Sequence, residues 1–112
     1  MNLLTAQCTP KLPALTAEAL PEWLSQVPGW TQAISSYNEP AIECHFAFKN
    51  YYQTMAFVNA VAEIAHAQDH HPDMQVSYGG CTVLFNTHSA HGLTVNDFIC
   101  AAQVSALPES NQ

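Results

Sequence analysis

The chain has 112 residues, 48% of them apolar and 10% charged, with a formal charge of −7 at neutral pH, which describes one domain with one modest core, too apolar and too lightly charged for disorder. Lys11 and Lys49 are its only basic side chains and it has no arginine, so it has little with which to displace counterions from DNA or RNA, or to grip a substrate carrying several phosphates. The first residues lack the basic and apolar regions of a signal peptide and no apolar run reaches the ~20 residues that span a bilayer, so a cytoplasmic protein with neither nucleic-acid nor membrane partners is expected.

Residues 1–112 read as a single domain, with loosely held ends and an ordered core from about 15 to 107. Thr16 is placed to cap a short helix whose stripe is Leu20, Trp23, Leu24 and Val27, ended by Pro28-Gly29. Trp30 to Ser36 and Ile42 to Phe48 then read as strands about a turn at Asn38-Glu39-Pro40, with Ile42, Cys44, Phe46 and Phe48 alternating against more polar neighbours. Asn50 with Gln53 has the spacing of a capping box, and Tyr51, Met55, Val58, Ala62 and Ala65 give the long helix that follows one apolar face. Met55, Phe57, Val58 and Val61 belong to the core or a subunit interface. That helix must stop near His70, because Pro72 has no amide hydrogen and drives His71 out of helical geometry.

Met74, Val76 and Tyr78 alternate with polar residues, Gly79-Gly80 offers a turn, and Cys81, Val83 and Phe85 resume the alternation, which predicts a second hairpin. His88 falls just past its end, and Thr94 caps a last helix to about Ala106. The order α-β-β-α-β-β-α predicts an α+β fold, a four-stranded antiparallel sheet with about three helices on one face.

Four of the six histidines lie between His66 and His88, and His70-His71 and His88 stand at ends of elements, where side chains from separate stretches can share a cleft. Imidazoles titrate near neutrality and suit proton transfer. Cys8, Cys44, Cys81 and Cys100 are scattered without a CxxC, which fits reduced thiols better than a zinc ribbon or redox pair.

The set His66, His70-His71-Pro72, Tyr78, Thr87-His88, Gly92-Leu93-Thr94 and Asp97 resembles the pterin-4a-carbinolamine dehydratases, and the resemblance extends upstream through Leu15, Gly29-Trp30 and Phe46-Ala47-Phe48. It implies a small antiparallel sheet packed on helices. It also implies dehydration of 4a-hydroxytetrahydropterin to the quinonoid dihydropterin, recycling the cofactor of an aromatic amino acid hydroxylase, with no metal or organic cofactor. His70, His71 and His88 are then the active-site histidines with Asp97 beside them. By the same resemblance, His70, His71, Pro72, Tyr78, Thr87, His88, Ser89 and Ala90 are expected to contact the pterin. His70 and His88 share the acid and base work, in an order the sequence leaves open. Relatives form dimers or tetramers, so a homo-oligomer is expected, with the hydroxylase as a further partner. His66 and Met74 depart from the family, which often has Glu and an aromatic residue there.

Plainer readings stand beside these. Asp97 is at the third position of a helix capped by Thr94, which explains a carboxylate there without chemistry. Tyr78 serves equally as a sheet packing residue, and His45 and His91 as partly exposed residues. His66 and His70, four apart on a helix end, could ligate zinc with His71, His88 or His91, and the same fold could act as a protein-binding regulatory module.

Overall fold

The fold is described from a computed structural model over residues 1–111. Strands β1 (Thr31–Ile34), β2 (Pro40–Ala47), β3 (Asp73–Ser77) and β4 (Gly80–Phe85) form one antiparallel sheet in the order β1-β2-β4-β3. Helices α1 (Leu20–Leu24), α2 (Tyr51–Gln68) and α3 (Val95–Ser105) complete the predicted α-β-β-α-β-β-α order.

The alternation on the central strands builds the core. Ile42 pairs with Phe85, Cys44 with Val83 and Phe46 with Cys81, so these side chains share one face of the sheet, and Ile42, Cys81, Val83 and Phe85 are fully buried there. Phe57 and Val61 of α2 and Phe98, Ile99 and Val104 of α3 close over them. Trp30 packs against Phe85 and Phe46, and its indole donates to Ser105 Oγ at 2.8 Å, so the largest ring in the core has its polar edge satisfied.

Several boundaries differ from the sequence expectation. The first hairpin turns over Ser35–Glu39, with the Ser35 amide donating to the Glu39 carbonyl, and Pro40 opens β2, a strand position that needs no amide donor. Thr16 makes no side-chain cap; a 3₁₀ turn at Ala17–Ala19 leads into α1 instead. The buried face of α2 is Thr54, Phe57, Val61, Ala65 and Gln68, which shares Ala65 with the predicted stripe; Met55 and Val58 are half-buried at its margin, and Tyr51 and Ala62 face out. Apolar residues circle this helix, so two stripes compete, and the deciding features are polar. Thr54 Oγ1 donates to the Tyr78 carbonyl and Gln68 binds the N-terminal segment.

The second hairpin turns at Tyr78-Gly79, not Gly79-Gly80, since Ser77 pairs with Gly80. A Cβ on Gly80 would lie 2.9 Å from the His45 ring and 3.1 Å from the Phe46 carbonyl. The imidazole can swing aside but the carbonyl belongs to the β2 ladder. Gly80→Ala is therefore expected to destabilise by ~1–3 kcal/mol, read as a lower urea midpoint; an unchanged midpoint would mean the sheet yields there.

The first residues are also held. Leu3 is buried in the core, Gln103 Nε2 donates to the carbonyls of Leu3 and Ala6, and Gln68 Oε1 accepts from the Cys8 amide at 2.8 Å. No helix among the described residues is long and apolar enough to cross a membrane.

Candidate active site

The geometry of His70 begins at the end of α2. Asp69 adopts the left-handed conformation (φ 51°) and the His70 amide donates to the Ala65 carbonyl at 3.2 Å, the 6→1 bond of a Schellman ending. This turn takes His70 off the helix before Pro72 and sets its ring against Phe85, with centroids 5.9 Å apart. His66 stays on the helix and exposed. The zinc reading that put His66 and His70 on one helical face is thereby corrected, because the helix has already ended at Gln68.

His70 Nε2 meets Asp97 Oδ1 at 2.7 Å, and Asp97 is fully buried. The other oxygen, Oδ2, accepts from the Thr87 hydroxyl at 2.8 Å and from the Thr94 amide at 2.9 Å. The latter is the return half of the capping box on α3, so one carboxylate both caps that helix and holds the His70 ring. Thr87 Oγ1 lies 2.8 Å from Thr94 Oγ1; since Thr87 spends its proton on Asp97, Thr94 donates. With the carboxylate accepting at Nε2, the proton there is fixed, and Nδ1 is the nitrogen free to exchange one.

Burial pulls the His70 pKa down, but the hydrogen bond and charge of Asp97 outweigh it, helped by Cys8 and Asp69, and the net shift is upward. A histidine whose folded pKa exceeds its unfolded value of about 6.5 stabilises the fold fully below that pH. The contribution is lost as pH rises through the folded value. The urea midpoint of the wild type, relative to His70→Asn, is expected to fall over that window; a parallel pair of profiles would contradict the pairing.

His70, Thr87 and Ser89 open on a cleft of about 650 Å³ whose opposite wall is the segment Cys8 to Leu12, a size common to small-molecule sites. Asn96 pins that wall by exchanging hydrogen bonds with the Thr9 backbone at 3.1 and 2.7 Å. Cys8 Sγ lies 3.7 Å from Cys100 Sγ, so residues far apart in sequence meet. The Cys100 thiol and nearby His70 hold Cys8 below its usual pKa against burial, while the same contact and burial push Cys100 up. A larger groove of about 750 Å³ lies between the N-terminus and the end of α3, but no titratable side chain lines it.

His88 begins a 3₁₀ turn, His88–Ala90, that follows β4. Its Nδ1 lies 3.0 Å from Glu39 Oε1 and its ring stacks on Tyr37 at 3.8 Å. His91 Nδ1 lies 2.8 Å from Glu39 Oε2. The two imidazole donors hold the Glu39 carboxyl below its ordinary pKa. His88 is thus in a second cluster, between two residues, Thr87 and Ser89, that line the cleft, but it is not itself a lining residue.

Of the other expected positions, His71 is exposed and has no hydrogen-bond partner among the described residues, Pro72 is half-buried ahead of β3, and Ala90 closes the 3₁₀ turn. Tyr78 is not brought to the cleft. It stands at the hairpin turn, the length of β3 away from His71, exposed and stacked on Tyr51. Sequence reasoning did not reach Glu39, Gln68, Asn96 or the Cys8–Leu12 wall. A polar Gln68 and Asn96 on otherwise apolar buried faces are signals for the wall; Glu39 has none, its partners being about fifty residues on.

A buried imidazole–carboxylate pair in a cleft, carried by an antiparallel sheet with helices behind it, defines a small α+β domain equipped for proton transfer. The family described as pterin 4 alpha carbinolamine dehydratase matches residues 13–107, and the chain belongs to that family of hydro-lyases. It is 51% identical over 112 residues to a protein of Xylella fastidiosa (strain 9a5c), covering 97% of this chain and 94% of that one. It is 48% identical over 109 residues to one of Nitrosospira multiformis, covering 95% and 92%. Both names assign those proteins, provisionally, to the pterin-4-alpha-carbinolamine dehydratases. The crystal structure of a transcriptional coactivator/pterin dehydratase from Brucella melitensis matches with a TM-score of 0.74 at 31% identity, over 83% of this chain and 96% of that one. A pterin dehydratase-like protein identified as a RuBisCO assembly factor in the alpha-carboxysome shares the fold, with a TM-score of 0.60 at 23% identity over 72% and 90%.

Proposed function

We propose that the protein dehydrates 4a-hydroxytetrahydropterin to the quinonoid dihydropterin, with His70 as the acid and His88 as the base, and so returns the cofactor used by an aromatic amino acid hydroxylase. The observation that carries the reading is the His70–Asp97 pair in the wall of the cleft. A raised pKa keeps more of His70 as imidazolium near neutrality, and its free Nδ1 is the atom that can give up a proton to the departing hydroxyl.

In the reaction the C4a–O bond breaks with its electron pair going to oxygen, which takes the His70 proton and leaves as water. The N5–H bond supplies the electrons of the new C4a=N5 double bond, and its proton passes to His88. Glu39 accepts the His88 Nδ1 hydrogen, which leaves the Nε2 lone pair as the base, the orienting role a carboxylate has beside other catalytic imidazoles. Neutral His70 and protonated His88 are reset by exchange with solvent. His71, exposed next to Pro72, contributes to binding the ring, as do Thr87 and Ser89 at the cleft.

The test is to generate 4a-hydroxytetrahydropterin enzymatically and follow quinonoid formation by absorbance. Acceleration over the spontaneous rate is expected; equal rates would remove the activity and leave a binding role for the fold.

A further inference from the structure

We infer that Glu39, His88 and His91 form a binding site for a divalent transition-metal ion of the zinc class, and that occupancy of this site switches the dehydratase off. The three residues each present a ligand atom, and all of these atoms lie within 4.8 Å of one another. They come from separate loops: Glu39 from the end of the β1–β2 turn, and His88 and His91 from the turn after β4. The set of two imidazoles and one carboxylate, with a further coordination position open, is one that zinc and its neighbours accept.

The site is built as well as clustered. Glu39 is 9% exposed overall, and its backbone is fixed in the turn by the Ser35 amide and hydroxyl, so the carboxylate is presented in one place. The Tyr37 ring lies 3.8 Å from that of His88 and sets its plane. His91 is held left-handed (φ 57°), between the paired residues Thr87 and Gly92, and this directs its Nδ1 to the second Glu39 oxygen. The imidazoles remain accessible, with 55% of the His88 side chain and 78% of the His91 side chain in solvent, so an ion can enter without unfolding the turn.

Binding and catalysis then exclude each other. Without the ion, Glu39 holds the His88 proton on Nδ1 and Nε2 is the base. An ion between the residues takes Nδ1 as its ligand, and the proton moves to Nε2. The nitrogen that had a lone pair for the substrate proton no longer has one. No bond is made or broken beyond this coordination and tautomer change, and removal of the ion restores the base. The inhibition rests on the dehydratase reading above, whereas the ion site does not.

Two measurements separate them. Titration calorimetry with zinc chloride, and the visible absorption of added cobalt(II), read binding without turnover; one ion per chain is expected. His91→Gln, an exposed position outside the proposed catalytic set, is expected to weaken zinc at least tenfold while keeping its thermal transition and basal turnover. Zinc should inhibit wild-type turnover reversibly by EDTA, and inhibit His91→Gln only at tenfold higher concentration or more. No binding by wild type, or equal binding by His91→Gln, overturns the site. Binding that depends on His91 with turnover unaffected upholds the ion site and overturns the switch, and with it the role of His88 as base.

Discussion

His70→Ala is expected to lower turnover by ~10²- to 10⁴-fold, the usual worth of one positioned acid or base, equivalent to roughly 3–5 kcal/mol of barrier. The loss should fall on kcat more than KM, because the ring is needed to deliver a proton and Thr87, Ser89 and the Cys8–Leu12 wall still shape the cleft. Truncation also removes the stack on Phe85 and one partner of buried Asp97. His70→Asn, which retains a side-chain donor, is the companion variant for keeping the fold; it should lose activity on the same scale with a smaller change in melting. His88→Ala should match the loss with little effect on stability, since its ring is more than half exposed. Turnover within a few-fold of wild type, in a variant whose circular dichroism is unchanged, would contradict the assignment for that residue.

Asp97→Ala is expected to cost ~3–5 kcal/mol of stability, the range for removing one member of a buried ion pair. The carboxylate receives His70, the Thr87 hydroxyl and the Thr94 amide at full burial, so its removal strands three donors and opens the cap of α3. Against a typical domain stability of about 5–15 kcal/mol, that brings the chain near its unfolding limit at ambient temperature. Asp97→Asn keeps the shape and should lose less stability, yet it removes the charge that raises the His70 pKa. Its signature is a pH–rate profile whose alkaline limb, where the acid His70 loses its proton, moves to lower pH, measured beside the urea midpoint. An Asp97→Ala protein as stable as wild type would show that the buried network is dispensable.

What was legible in the sequence was local. The alternation Ile42-Cys44-Phe46 and Cys81-Val83-Phe85 predicts a buried sheet face because side chains on a strand alternate by geometry alone, and Pro72 bars the long helix from running on, although the Asp69 turn already ends it at Gln68. Asn50 accepts from the Gln53 amide as its spacing implies, although the Gln53 side chain reaches back to the Lys49 amide rather than that of Asn50. The face of α2 was legible only in part: Phe57, Val61 and Ala65 are buried as expected, but its ring of apolar residues leaves two stripes nearly equal until Thr54 and Gln68 find partners. The turn of the second hairpin moved by one residue for a comparable reason: the space at Gly80 is set by the Phe46 carbonyl and the His45 ring on another strand.

The candidate site divides along the same line. The resemblance to the family points to His70, Thr87, Ser89, His88 and Asp97, and the order of elements that carries them follows from periodicity and capping. Only the folded chain decides that His70 joins Asp97 while His88 joins Glu39 and His91, that Cys8 meets Cys100, and that the N-terminal segment walls the cleft. Periodicity and caps act between residues a few positions apart, so they are written in the sequence itself. A hydrogen bond between residues separated by dozens depends on how strands and helices pack, and no local spacing encodes it.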